Sequence, residues 1–146
     1  MAKIEILVGT TLGSAEYVAD ELADQLSEIG HEANIHLTPN LDDLDLNSLW
    51  IIASSTHGAG DLPDNIVPFL TQIQTLKPDL SATKFAVCAI GDSSYDTFCQ
   101  GPEKLVEQLS LCGAQVFVDK IQIDIQYDHI PEEAAIAWLT CWQDQL

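Results

Sequence analysis

The chain has 146 residues, with 23 carboxylates set against five lysines and no arginine, for a formal net charge of −18. That charge argues strongly against nucleic acid and anionic membrane surfaces as partners, since both are polyanions; it suits basic protein partners or serves solubility alone. Hydrophobic residues make up 47% of the chain, enough to fill the core of one domain spanning residues 1–146 and to argue against disorder. Met1-Ala2-Lys3 leads straight into a short apolar strand, and no apolar run reaches the roughly 20 residues a membrane helix needs. Cys88, Cys99, Cys112 and Cys141 form no C-x-x-C pair, so no metal site is expected. Free thiols in a leaderless chain point to the cytoplasm.

Strand and helix signals alternate along the chain. Lys3–Val8 reads as a strand. Ala15, Val18, Leu22, Leu26 and Ile29 are spaced three or four apart, which makes one face of a helix capped by Ser14 and stopped by Gly30. Ala33–Leu37 is the next strand, followed by an acidic loop over Pro39–Asn47 that reads as solvated. Leu49–Ser54 is a compact apolar strand, and Asp64–Leu76 a helix with Asp64 or Asn65 as its cap. Phe85–Ile90 is a continuous apolar run of the kind buried on both faces. A helix over Pro102–Cys112 ends at Gly113; Gln115–Val118 and Ile121–Ile125 read as one strand interrupted at Asp119-Lys120. Glu132–Trp142 is the last helix. Five strands alternating with four helices imply an α/β fold with a parallel sheet covered on both faces. Ligands in such folds sit beyond the carboxyl ends of the strands.

The turn after the first strand reads Gly9-Thr10-Thr11-Leu12-Gly13-Ser14-Ala15-Glu16. It has neither the lysine and spacing of a Walker loop nor the three glycines of a dinucleotide fingerprint. A phosphatase loop would need an arginine, and the chain has none. Thr10, Thr11 and Ser14 hydroxyls with successive backbone amides suit a single phosphate held by dipoles at a helix N-terminus.

With two further loops, this turn resembles the flavodoxin family over essentially the whole chain. Thr10-Thr11-Leu12-Gly13-Ser14-Ala15 is similar to the family's phosphate signature. Ser55-Thr56-His57-Gly58-Ala59-Gly60-Asp61 is similar to the loop over one flavin face, and Gly91-Asp92-Ser93-Ser94-Tyr95-Asp96-Thr97-Phe98-Cys99 to the loop over the other. Length and the first of these two runs resemble the short-chain members. The resemblance implies a flavodoxin-like three-layer α/β/α fold with a five-stranded parallel sheet in the order 2-1-3-4-5. It implies FMN as cofactor, with Tyr95 stacked on one ring face and His57 on or near the other. Gly58 and Gly60 would let backbone approach the ring, Gly58 at the position where a peptide carbonyl turns toward flavin N5. Ser55, Ala59 and Ser93 complete the two loops. Thr56, Gly91 and Asp92 would serve the pyrimidine end, although Asp92 would equally cap a local turn. Phe98 would pack beneath the site, and Cys99 would lie near the flavin without reacting. Leu12 departs from the family's threonine, removing one phosphate hydroxyl, and His57 departs from its tryptophan or tyrosine.

A cobalamin module is disfavoured because Ser55 stands where its motif needs the aspartate that orients His57. A receiver domain would need carboxylates where Gly9-Thr10 and Ser54-Ser55 stand. An NAD(P)H:quinone-type reductase on the same fold is the alternative, with little chain to build a substrate pocket. The expectation is a soluble, monomeric, cytoplasmic carrier of single electrons at low potential, with no catalytic residue of its own. Its partners would be an NAD(P)H-dependent flavodoxin reductase and a redox acceptor enzyme, both docking electrostatically.

Overall fold

A computed structural model describes residues 3–10, 13–56, 62–92, 99–127 and 130–146, with the backbone alone at Ser14. Along the chain these form β1 (Lys3–Gly9), α1 (Ser14–Glu28), β2 (Glu32–His36), β3 (Leu49–Ser55), α2 (Val67–Leu76), β4 (Lys84–Gly91), α3 (Gly101–Leu111), β5 (Gln115–Val116), β6 (Ile121–Asp124) and α4 (Pro131–Trp142). The strands lie in the order β2-β1-β3-β4-β5, with β6 also on β4, and every pair is parallel. This is the expected order, with its last strand position divided in two. β5 pairs with Lys84 and Phe85 at the start of β4, and β6 with Cys88–Gly91 at its end.

Each central strand serves two cores. Ile4, Ile6 and Val8 of β1 point to the side covered by α1 and α4, where Val18, Leu22, Leu26, Ala135, Leu139 and Trp142 meet Ile51, Ala53 and Ile90. Leu7, Trp50, Ile52, Phe85 and Val87 point to the side covered by α2 and α3, against Phe69, Ile73, Leu105 and Leu109. Alternation in β1, β3 and β4 therefore feeds both layers, which is why β3 and β4 read as unbroken apolar runs and β1 as one interrupted by Glu5. A fully buried side chain of this size contributes about 1.5–3 kcal/mol by leaving water.

Glu5 breaks the apolar rule on the central strand. It is 1% exposed, and its carboxylate accepts from Asn34 Nδ2 at 3.1 Å and from the Asp45 N–H at 3.3 Å. His36 Nε2 lies 3.3 Å from the same carboxylate. A buried carboxylate needs such partners, and here they bind β2 and the acidic loop to the sheet. Within that loop Asp42 and Asp43 are exposed, but Leu44 is buried and the Asp45 carbonyl accepts from Trp50 Nε1 at 3.0 Å. The loop is thus solvated on one side and fastened on the other.

Two helix starts differ from the sequence reading. Gly13 occupies the cap position of α1 with φ 91°, so Ser14 is the first helical residue rather than the cap. α2 starts at Val67, with Ile66 as its cap and no side-chain cap bond, because Asn65 spends its side chain elsewhere. Pro68 and Pro102 stand in the first turns of α2 and α3, where a missing N–H costs nothing.

Candidate functional site

β1, β3 and β4 are neighbours, so the segments after them emerge side by side at the carboxyl edge. The chain turns from β1 towards β2 on one side and from β3 towards β4 on the other. That switch point is where such sheets leave a crevice. Polar bonds then tie the emerging segments to one another in sequence.

The first bond set belongs to the β1 turn. The Thr10 N–H donates to Asn65 Oδ1 at 2.9 Å, and Thr10 Oγ1 accepts from the Gly13 N–H at 2.7 Å. Among the described residues the Thr10 hydroxyl proton meets no acceptor, so it is left to donate. Gly13 holds the left-handed conformation that a side chain would strain, and α1 follows with its first N–H groups lacking intrahelical acceptors. Ala15 contributes only such an N–H, since its methyl is fully buried in the α1 core. The Thr10 amide itself is taken by Asn65.

The start of the segment after β3 is fastened to both neighbours. Ser55 Oγ reaches the Gly9 carbonyl at 3.4 Å, and Thr56 Oγ1 accepts from the Gly101 N–H, the first of α3, at 3.0 Å. Thr56 therefore joins the β3 and β4 segments. After β4, the Gly91 carbonyl accepts from the Ile125 N–H at 2.9 Å, and Asp92 Oδ1 accepts from Gln126 Nε2 at 2.9 Å. These two bonds fasten the β4 segment to the turn after β6.

Cys99 is 1% exposed, has φ 54°, and packs in the α2/α3 core beneath these loops. Burial first, and then the carboxylate of Asp124, push its thiol up to about 12; burial also pushes Cys88 up to about 12. Both are therefore protonated, weakly nucleophilic thiols at neutral pH. All four cysteines are free.

Thr10, Gly13, Ala15, Ser55, Thr56, Gly91, Asp92 and Cys99, with the Ser14 backbone, thus stand at or under one edge. Thr11, Leu12, His57, Gly58, Ala59, Gly60, Ser93, Tyr95 and Phe98 lie outside the described residues. Asn65, Gly101 and Gln126 were not singled out by the sequence reading. Gly101 and Gln126 carry no motif signal. Asn65 carried a misleading one, since an Asp-Asn pair before an apolar helix also reads as a cap. Among the described residues no group of His, Cys, Asp or Glu is placed to hold a metal, and no helix is long and apolar enough to cross a membrane.

A parallel sheet in this order, with an anion-suited helix start at its switch point, defines an α/β protein of the flavodoxin-like class. The family model for flavodoxin matches residues 6–138, and the chain belongs to the flavodoxin family, in its short-chain MioC type. It is 44% identical to protein MioC of Escherichia coli (strain K12) over 146 residues, covering 100% of this chain and 99% of that one. It is 39% identical to a MioC homolog of Haemophilus influenzae over 134 residues, covering 92% of each. A solved cysteine variant of flavodoxin from Pseudomonas aeruginosa superposes with a TM-score of 0.88 at 33% identity, over 96% of this chain and 95% of that one. Membership implies a flavin cofactor and an electron-transfer role.

Proposed function

We propose that this protein binds FMN at the carboxyl edge and acts as a low-potential, one-electron carrier between an NAD(P)H-dependent reductase and an acceptor enzyme. The observation that carries the reading is the β1 turn: a left-handed glycine, a threonine hydroxyl whose proton meets no acceptor among the described residues, and a helix N-terminus, with no cation in the turn. That donor set fits a phosphate monoester. Helix N–H groups and hydroxyls bind a dianion through dipoles, and the absence of a lysine partner keeps the site from suiting a nucleotide triphosphate.

FMN, when bound, supplies the redox chemistry; the protein supplies binding, orientation and electrostatics. Thr10, Gly13, Ser14 and Ala15 would hold the phosphate. Thr56 and Asp92, each engaged with a neighbouring loop, would present fixed walls at the ring end. Their bonds are made before a ligand arrives, so less ordering cost falls on binding. The net charge of −18 favours basic docking faces on both partners, and transfer rates would fall as salt screens that attraction. The working form is a one-domain cytoplasmic monomer.

Titration of the flavin-free protein with FMN, FAD and riboflavin tests the reading. FMN must bind tightest, and NADH or NADPH alone must leave the bound chromophore oxidised. Equal affinity for riboflavin would remove the phosphate argument. Bleaching by a nicotinamide alone would move the protein to the reductase class.

A further inference from the structure

Asn65 completes the sheet where β2 has already ended. The β1–β2 ladder runs from Lys3–Glu32 to Leu7–His36, and Leu37 is already in a bend. Two groups of the β1 segment on that side, the Val8 carbonyl and the Thr10 N–H, flank Gly9 beyond the last rung. In a parallel ladder a residue on the adjoining strand donates to the carbonyl before its partner and accepts from the N–H after it. The Asn65 carboxamide does both: Nδ2 donates to the Val8 carbonyl at 2.7 Å, and Oδ1 accepts from the Thr10 N–H at 2.9 Å. Its second Nδ2 hydrogen reaches the Leu37 carbonyl at 2.8 Å. A side chain thus stands opposite Gly9 as one rung of β-sheet.

The surroundings fit that rung closely. The Gly9 carbonyl faces the other neighbour, where Ser55 Oγ approaches it at 3.4 Å. A Cβ on Gly9 would overlap Ser54 Oγ and come within 3.1 Å of Ile66 Cγ2, the residue beside Asn65. Glycine at position 9 is what lets the Asn65-Ile66 segment lie against the strand.

We propose that Asn65 is a positioning residue for the phosphate end of the cofactor site. It keeps the chain in the sheet as far as the Thr10 N–H, so the turn begins at Thr10. The Thr10 hydroxyl and the first N–H groups of α1 are then the donors presented to the anion. Preference for a phosphorylated flavin therefore depends on a side chain that acts through Thr10. The proposal rests on the FMN reading.

Flavin-free full-length protein, wild type and Asn65→Ala, titrated with FMN and riboflavin, separates the two. Asn65→Ala should weaken FMN about tenfold, the size of one lost polar contact set, and leave riboflavin unchanged. Equal loss for both ligands makes Asn65 a structural residue only and overturns the proposal. Wild-type protein that binds both ligands equally overturns the FMN reading, and the proposal with it. Should Asn65→Ala not fold, amide spectra of the wild type with inorganic phosphate decide. The Thr10 amide should keep its shift and its exchange protection while the Ser14 amide moves. A Thr10 amide that follows the phosphate as Ser14 does would overturn the proposal.

Discussion

The two ends of the sheet differ in how far their closure passes through side chains. At the amino end backbone pairs, Leu80 N–H to Cys112 carbonyl at 2.9 Å, Thr83 N–H to Leu80 carbonyl at 2.9 Å and Gln115 N–H to Thr83 carbonyl at 3.1 Å, stand beside side-chain bonds from Thr83 Oγ1 to the Leu46 carbonyl and from Trp50 Nε1 to the Asp45 carbonyl. At the carboxyl end, beside the backbone bond from the Ile125 N–H to the Gly91 carbonyl, the bridges among the described residues run through side chains: Asn65 to Thr10, Thr56 to Gly101, and Gln126 to Asp92. Backbone closure tolerates many side chains, whereas side-chain closure fails with a single substitution. A scaffold that joins its segments by backbone as well as side chains at one end, and chiefly by particular side chains at the other, keeps its binding loops on a rigid base.

The largest effect expected is alkaline. Cys99 under the carboxyl edge and Cys88 in β4 are both raised from 9.0 to about 12. Between those values the unfolded chain releases protons that the folded chain keeps. The stability is fully present below pH 9 and is lost as pH rises towards 12. Urea midpoints across that range should fall, and Cys88→Ala should flatten the slope. A flat wild-type profile would mean that the edge opens enough to hydrate its thiols.

Next in size is Thr56→Val, which removes the acceptor of the buried Gly101 N–H. It should lower stability by about 1–2 kcal/mol in urea unfolding and also weaken flavin binding. Loss of stability without loss of binding would blur the contrast between the two ends.

Gly113→Ala probes the amino end. Gly113 has φ 99°, and a Cβ there would stand 3.3 Å from the Ser81 nitrogen. The strain should cost about 1–2 kcal/mol with flavin affinity unchanged; a change in affinity would show that the two ends communicate. The smallest effect is a gain. Lys77 closes α2 with φ 45°, and Lys77→Gly should raise stability by about 0.5 kcal/mol, the left-handed penalty less the added freedom of the unfolded chain.

The amino-acid sequence determined the architecture of this protein. Hydrophobic alternation in Lys3–Val8, three-and-four spacing in Ala15–Ile29 and the unbroken run Phe85–Ile90 are local patterns, and local patterns set element type. Alternating elements then leave few arrangements, so the sheet and its carboxyl edge follow. Even the interruption at Asp119-Lys120 could be read, and it separates β5 from β6. Tertiary structure alone decided how the edge is held. The partners of Asn65 stand 55, 57 and 28 residues away, so no local period reveals them, and its capping signature pointed to a helix start instead. The same holds for Glu5, whose carboxylate is buried only because Asn34 and the Asp45 backbone come to meet it from 29 and 40 residues away. Side-chain polarity is written in the sequence, but the partner that satisfies a buried polar group is chosen by the fold, because only packing brings distant backbone within hydrogen-bond reach.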